Sequence, residues 1–204
     1  MKSEKFWDKQ SNTYGTQVKT DEQVEIVNKT KKHLGKSDIV LDYACATGLF
    51  ANDLANEVKE MHGIDISSKM IDAAKREAAK RNIQNVHFAK STIFDKRYKN
   101  ESFNVILAFN ILHLVEDTQK VVQRIHELLK PGGLFISLTP CMGEKKLFFG
   151  IVLFLMGKIG IVPNAQLLKV SELEDALTNR GFHIVETKNI AKNLPNYFIV
   201  SKKK

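Results

Sequence analysis

Cysteine is scarce in this chain of 204 residues: only Cys45 and Cys141 occur. Two thiols make neither a disulfide framework nor a metal-binding pair, so no metal site is expected, and a reduced, cytoplasmic compartment is the simplest setting. Met1–Gln10 carries charges of both signs and no apolar core, so no secretory leader is expected. A long hydrophobic run is missing too. The most apolar stretch, Lys145–Ile161, runs about ten apolar residues before Lys158, short of the ~20 that a spanning helix needs. There is no internal repeat, no low-complexity tract and no linker, which leaves one domain over residues 1–204, long enough to bury a core. Acidic residues are in deficit, 23 against 31 basic, for a net charge of +8. The lysines are spread along the chain, and the one tight run is Lys202-Lys203-Lys204. That distribution describes solvated faces and a terminal tail, so no nucleic-acid partner is expected.

What remains is an alternation of strand and helix patterns, which implies a mostly parallel sheet covered on both faces. Strands are expected at Asp38–Tyr43, Glu60–Asp65, Val86–Lys90, Phe103–Phe109, Leu134–Thr139, Phe182–Asn189 and Tyr197–Ser201. Helices are expected over 20–34 with Thr20 as N-cap, Leu49–Lys59, from Ser67 to about Asn82, and Asp117–Lys130, the last stopped by Pro131-Gly132-Gly133. Ser171-Glu172-Leu173-Glu174 reads as a capping box opening a helix that ends near Gly181.

The run Val40-Leu41-Asp42-Tyr43-Ala44-Cys45-Ala46-Thr47-Gly48 is a buried strand ending in a turn of small residues. A second strand then ends in Gly63-Ile64-Asp65. A small-residue turn followed by an acidic strand end is how an open α/β sheet holds a nucleoside-containing cofactor: the turn admits the ligand to the backbone, and the acid accepts from ribose hydroxyls.

These motifs, with Phe103–His113, Leu129-Lys130-Pro131-Gly132-Gly133-Leu134 and the lead-in Phe6-Trp7-Asp8-Lys9 followed by Tyr14, resemble the class I S-adenosylmethionine-dependent methyltransferases of the small-molecule type. The resemblance covers nearly the whole chain. It implies a Rossmann-like, doubly wound, seven-stranded sheet with an antiparallel last strand, and S-adenosylmethionine lying across the carboxyl ends near the switch between the first and fourth strands. The chain departs from the family loop in having Ala44 and Ala46 where glycines are usual, a narrowing that weakens cofactor binding if the methyls intrude. Thr92 stands where an aspartate often faces the adenine amino group.

The resemblance assigns roles to individual residues. Asp42 reaches toward the methionine end of the cofactor, or caps the following helix. Asp65 takes the ribose hydroxyls, or partners the helix that starts at Ser67. Ala44 and Gly48 act through small size and backbone. Ile66 and Met70 pack on the adenine, although Met70 also has core-like spacing. Thr92 and Ile93 face the adenine edge, or form a plain loop. Asn110 offers a carbonyl near the transferred methyl group. His113 is either a general base or a loop histidine with an ordinary hydrogen bond. Asn110-Ile111-Leu112-His113 lacks the Asn/Asp-Pro-Pro-aromatic pattern of nucleic-acid amino methylases, so DNA bases are not the expected acceptor. Cys141–Leu168 reads as a helical cap insert over the active site, alternatively a core helix or a membrane-surface patch.

The leading expectation is direct in-line methyl transfer to a small, partly apolar molecule. The alternatives are a peripheral methyltransferase for a lipid or quinone precursor, and a cofactor-binding protein without transferase activity. A nicotinamide dehydrogenase would need glycines that Gly48 by itself does not supply.

Overall fold

The structure, a computed structural model, describes residues 2–11, 13–14, 19–143, 166–191 and 195–204. The proposed cap lies mostly outside the described residues, since 144–165 are not among them. Seven strands form one sheet in the order β3-β2-β1-β4-β5-β7-β6. They are β1 (Ile39–Tyr43), β2 (Glu60–Asp65), β3 (Val86–Lys90), β4 (Phe103–Phe109), β5 (Leu129–Pro140), β6 (Phe182–Asn189) and β7 (Asn196–Lys203). The first five run parallel, and β7 runs antiparallel between β5 and β6.

The helices of the described residues are α1 (Lys2–Gln10), α2 (Asp21–Lys31), α3 (Leu49–Leu54), α4 (Ser68–Lys80), α5 (Thr118–Leu128) and α6 (Val170–Thr178). Thr20 caps α2 in a reciprocal box with Gln23: the Thr20 hydroxyl accepts from the Gln23 N–H, and the Gln23 side chain accepts from the Thr20 N–H. Ser67 caps α4 by accepting from the Met70 N–H at 3.1 Å, and Asp117 caps α5 by accepting from the Lys120 N–H at 2.9 Å.

Several boundaries differ from the sequence reading, these three among them. The helix after the loop shortens to α3 and one 3-10 turn, Ala55–Glu57. Strand β5 starts at Leu129, so Pro131-Gly132-Gly133 lies within it at a register shift against β4 rather than ending a helix at Lys130. The last helix starts at Val170 with Lys169 at its N-cap, two residues before the expected cap Ser171, because Glu172 reaches back to accept from the Lys169 N–H at 2.9 Å.

Apolar residues alternate to the two faces of the sheet, as a doubly covered sheet requires. Val40, Met61, Leu107, Ile136 and Val200 meet Ile26, Leu54 and Ala74 on one side. Leu41, Ile64, Ile106, Phe135 and Ile199 meet Val122, Ile125, Leu173 and Leu177 on the other. Both layers leave the carboxyl edge of β1 and β4 open, at the point where the strand order reverses.

Candidate active site

A cavity of about 680 Å³ opens at that edge. Its floor is the loop after β1. The Cys45 N–H donates to the Ile64 carbonyl at 3.0 Å, and the Gly48 N–H to the Cys45 carbonyl at 2.9 Å, so the loop folds back toward β2 and then enters α3. Ala44 and Ala46 sit at φ +62° and +48°, in the left-handed region that glycine tolerates best. The substitutions have therefore kept the shape of a glycine loop, at a backbone strain of roughly 1–2 kcal/mol per residue.

Asp65 ties the loop to its neighbour. One carboxylate oxygen accepts from the Ala46 N–H at 3.1 Å, the other from the Ser67 N–H at 2.8 Å. Burial raises its pKa, and the N–H groups of Ser67, Ala46 and Ile66 hold it down in part. Asp42 is buried, and its Oδ2 has no partner among the described residues. Burial lifts this carboxyl to about 7, the Asp65 charge adds to the rise, and the Ala51 N–H at the start of α3 opposes it. Tyr43 is pushed up to about 12, mainly by burial.

Of the residues singled out from sequence, Asp42, Ala44, Asp65, Ile66, Met70, Thr92 and Asn110 line this one cavity. Asn110, at φ +57°, follows β4 with its N–H on the Leu138 carbonyl at 2.8 Å. Gly48, Ile93 and His113 are not among the lining residues. Gly48, at φ +75°, is small for packing: a Cβ there would lie 2.7 Å from the Phe88 ring and 2.9 Å from Ala74. Ile93 is buried in the layer beneath α5, and its carbonyl accepts from Arg124. His113 sits on a 3-10 turn, Leu112–Leu114, with a buried Nδ1 that has no partner among the described residues. Burial lowers it to about 4, so it is neutral near pH 7.

Several lining residues were not singled out as site residues. Trp7 and Tyr14, edge-to-face at 6.2 Å, come from the N-terminal segment. That segment is held by Asp8, which accepts from the Ser67 hydroxyl at 2.6 Å, and by a Glu4–Lys90 ion pair. The aromatic lead-in Phe6-Trp7 with Tyr14 was the available signal. Phe94, whose ring lies under the Lys120 ammonium at 5.5 Å, lines the cavity while remaining exposed. At the opposite end, Phe50 and Phe109 meet edge-to-face at 4.8 Å beside Ile26, Leu138 and Asn196. Among the described residues no group of His, Cys, Asp or Glu is arranged to hold a metal ion, and no helix is long and apolar enough to cross a membrane.

An open sheet whose carboxyl edge presents a small-residue loop and two strand-end acids to one cavity is the arrangement that holds a nucleoside-containing cofactor. The profile of the family described as "Methyltransferase domain" matches residues 34–196, and the chain belongs to that family, as a class I S-adenosylmethionine-dependent methyltransferase. It is 27% identical over 197 residues to a ubiquinone biosynthesis O-methyltransferase from Rickettsia bellii, covering 87% of this chain and 81% of that one. A ubiquinone biosynthesis O-methyltransferase from Coxiella burnetii is 27% identical over 172 residues, covering 82% and 73%. The fold is shared with the YcgJ protein of Bacillus subtilis, with a TM-score of 0.77 at 16% identity over 89% of this chain and 99% of that one. It is shared also with the geranyl diphosphate C-methyltransferase of Streptomyces coelicolor, with a TM-score of 0.75 at 13% identity over 89% and 78%.

Proposed function

We propose that this single catalytic domain methylates a hydroxyl oxygen of a small, ring-bearing, partly apolar acceptor, of the kind handled by the ubiquinone biosynthesis O-methyltransferases it resembles. The observation that carries this reading is that the cavity holding the strand-end acids Asp42 and Asp65 is also lined by the apolar side chains Phe50, Phe109, Leu138 and Ile26.

The residues fit S-adenosylmethionine. The unpartnered Asp42 Oδ2 is a buried acceptor that needs a cationic or N–H partner, and the cofactor's amino acid end offers an ammonium. Asp65 lies across the loop and can give its carboxylate to ribose hydroxyls. Ile66 and Met70 would supply apolar surface for an adenine, and the Thr92 hydroxyl would be available to hydrogen-bond it. Ala44 and Asn110 would contribute backbone and carbonyl groups to the cofactor. When bound, the cofactor supplies a methyl carbon made electrophilic by its sulfonium, so the protein needs no covalent nucleophile. What this chain contributes is alignment and exclusion of water. Trp7 and Tyr14 would help to exclude water from the bound cofactor, and the Phe50–Phe109 pair would offer apolar surface to the acceptor. His113, neutral and outside the cavity lining, supports the turn after β4: its carbonyl accepts from the Gln166 N–H at 2.7 Å. The interior of the cell, with its reduced thiols, suits Cys45 and Cys141.

The assignment is tested by calorimetry. Asp65→Ala is expected to weaken S-adenosylmethionine binding at least about tenfold, on the order of 1–3 kcal/mol for a lost charged hydrogen-bonding partner. An unchanged affinity would reject the ribose role.

A further inference from the structure

None of residues 3–10 of α1 is buried, so no buried apolar face holds this helix to the body of the protein. Two polar contacts do. One is the solvent-facing Glu4–Lys90 pair, of a kind that contributes little. The other is Asp8. A single oxygen, Asp8 Oδ1, accepts from the Ser67 hydroxyl at 2.6 Å and from the Lys69 N–H at 3.3 Å. These donors stand where α4 begins, a place that favours negative charge. The Ser67 hydrogen bond holds the Asp8 carboxyl below the usual carboxylate range, so it is charged near neutral pH. The Asp8 carbonyl accepts from the Ser11 hydroxyl at 2.9 Å, and the Tyr14 N–H donates to the Gln10 carbonyl at 3.1 Å. What fixes Asp8 therefore also fixes its neighbour Trp7 and the turn that carries Tyr14, both on the cavity.

Ser67 is fully buried and every polar group it offers on this side is committed. Its hydroxyl proton goes to Asp8, its Oγ accepts from the Met70 N–H at 3.1 Å, and its own N–H donates to Asp65 Oδ1 at 2.8 Å. The other Asp65 oxygen accepts from the Ala46 N–H at 3.1 Å. A continuous line of hydrogen bonds thus runs from α1, through the start of α4, to the strand-end acid and the loop after β1. The ends of that line also sense each other. The Tyr14 hydroxyl is pushed up by burial and then by the Asp65 carboxylate, and Asp65 is raised by burial and, to a smaller extent, by the Asp8 charge.

We infer that Asp8 is a positioning residue for the cofactor: it docks the N-terminal segment on Ser67, so that Trp7 and Tyr14 sit against the nucleoside, and docking of the segment and occupancy of Asp65 favour each other. This rests on the methyltransferase reading above and deepens it. Asp8 is absent from the cavity lining and acts through Ser67 and Trp7. The coupling is reciprocal: whatever loosens the segment weakens the cofactor, and the bound cofactor tightens the segment by the same factor. A nine-residue helix without a buried face is a unit that opens locally while the sheet stays folded.

Trp7 is the one tryptophan of the chain, so acrylamide quenching of its emission reads the segment directly. Wild type, Asp8→Ala and Asp8→Asn are compared by quenching, with and without saturating S-adenosylhomocysteine, by calorimetry with S-adenosylmethionine, and by thermal melts. Asp8→Ala is expected to raise the quenching constant of the ligand-free protein about twofold or more and to weaken S-adenosylmethionine about fivefold or more. Its Tm is expected to fall by no more than about 4 °C, since the sheet loses only a charge at the start of α4. Asp8→Asn keeps an oxygen at the position that makes both contacts, and is expected to stay within about twofold of wild type in quenching and affinity. S-adenosylhomocysteine is expected to lower the quenching of wild type more than that of Asp8→Ala. Quenching and affinity that do not move together in Asp8→Ala, an Asn variant as impaired as the Ala variant, or a larger loss of Tm would each overturn the assignment. If wild type binds S-adenosylmethionine and Asp8→Ala behaves like it, the coupling falls and the cofactor site stands. If wild type binds neither S-adenosylmethionine nor S-adenosylhomocysteine, the cofactor reading falls and the coupling with it.

Discussion

Asp42 keeps a proton that an exposed carboxyl would lose. Burial holds it at about 7 in the folded chain, against about 3.9 for an exposed aspartate. Between those values the folded protein binds a proton that the unfolded chain has released, so stability falls as pH rises through the interval. Asp65, also raised by burial, acts in the same direction. The buried His113, held at about 4, acts in the opposite direction over the lower part of that interval, so the Asp42 contribution is read as the difference between wild type and Asp42→Asn. In the ligand-free protein that difference in stability is expected to shift against wild type by about 2–3 kcal/mol between pH 5 and pH 8, followed by urea midpoints. A difference that does not change with pH would contradict the burial of an ionisable Asp42. Both strand-end acids were visible in the sequence, because an acid that ends an apolar run has few other places to be. Trp7 and Tyr14 stood out in the sequence only as an aromatic lead-in, and Asn196 not at all. They reach the cavity from the two ends of the chain, and no local pattern gives the place where they meet.

At the scale of elements, the packing of β2, β3 and α4 beneath the cofactor loop leaves little spare volume. A Cβ on Gly63 would fall 2.5 Å from two atoms of the Phe88 ring and 3.1 Å from the Cys45 sulfur. Gly63→Ala is expected to destabilise by about 1–3 kcal/mol through overpacking, read as a lower denaturation midpoint, and Phe88→Leu in the same chain is expected to recover part of the loss. The sequence showed Gly63 as a strand residue and Gly48 as a loop residue without showing that both are pressed against Phe88, since the ring arrives from a third strand. Helix starts at Thr20, Ser67 and Asp117 were legible because a capping side chain announces itself within four residues. The start of α6 was misplaced: Glu172 and Glu174 offer two registers, and Lys169 uses the nearer. No helix was expected over Lys2–Gln10. Nine residues are too few to be helical in isolation, and α1 depends on Ser67 and Lys90, far along the chain.

For the whole molecule, the alternation of patterns was sufficient to foresee a parallel doubly wound sheet, and seven strands fell near their observed places. The antiparallel course of β7 came from family resemblance, because a buried apolar strand looks the same in either direction. The cavity draws its lining from both ends of the chain as well as its middle, so ligand binding and global folding are coupled. At a hundredfold excess over Kd, S-adenosylmethionine is expected to stabilise the fold by about 2.7 kcal/mol. In a chain of this size that is a rise in Tm of roughly 5–10 °C, measurable in a thermal melt. A melt insensitive to the cofactor would contradict the site.

Strand β7 enters the sheet at Asn196, on the cavity rim, and leaves it at Lys203, whose ammonium meets the Leu129 carbonyl on the opposite rim. Anything fastened at Lys204, a dye, a bead or a fused carrier, therefore hangs from the underside of the sheet, a full strand length from the mouth, and an immobilised sample would keep its pocket turned toward the solution.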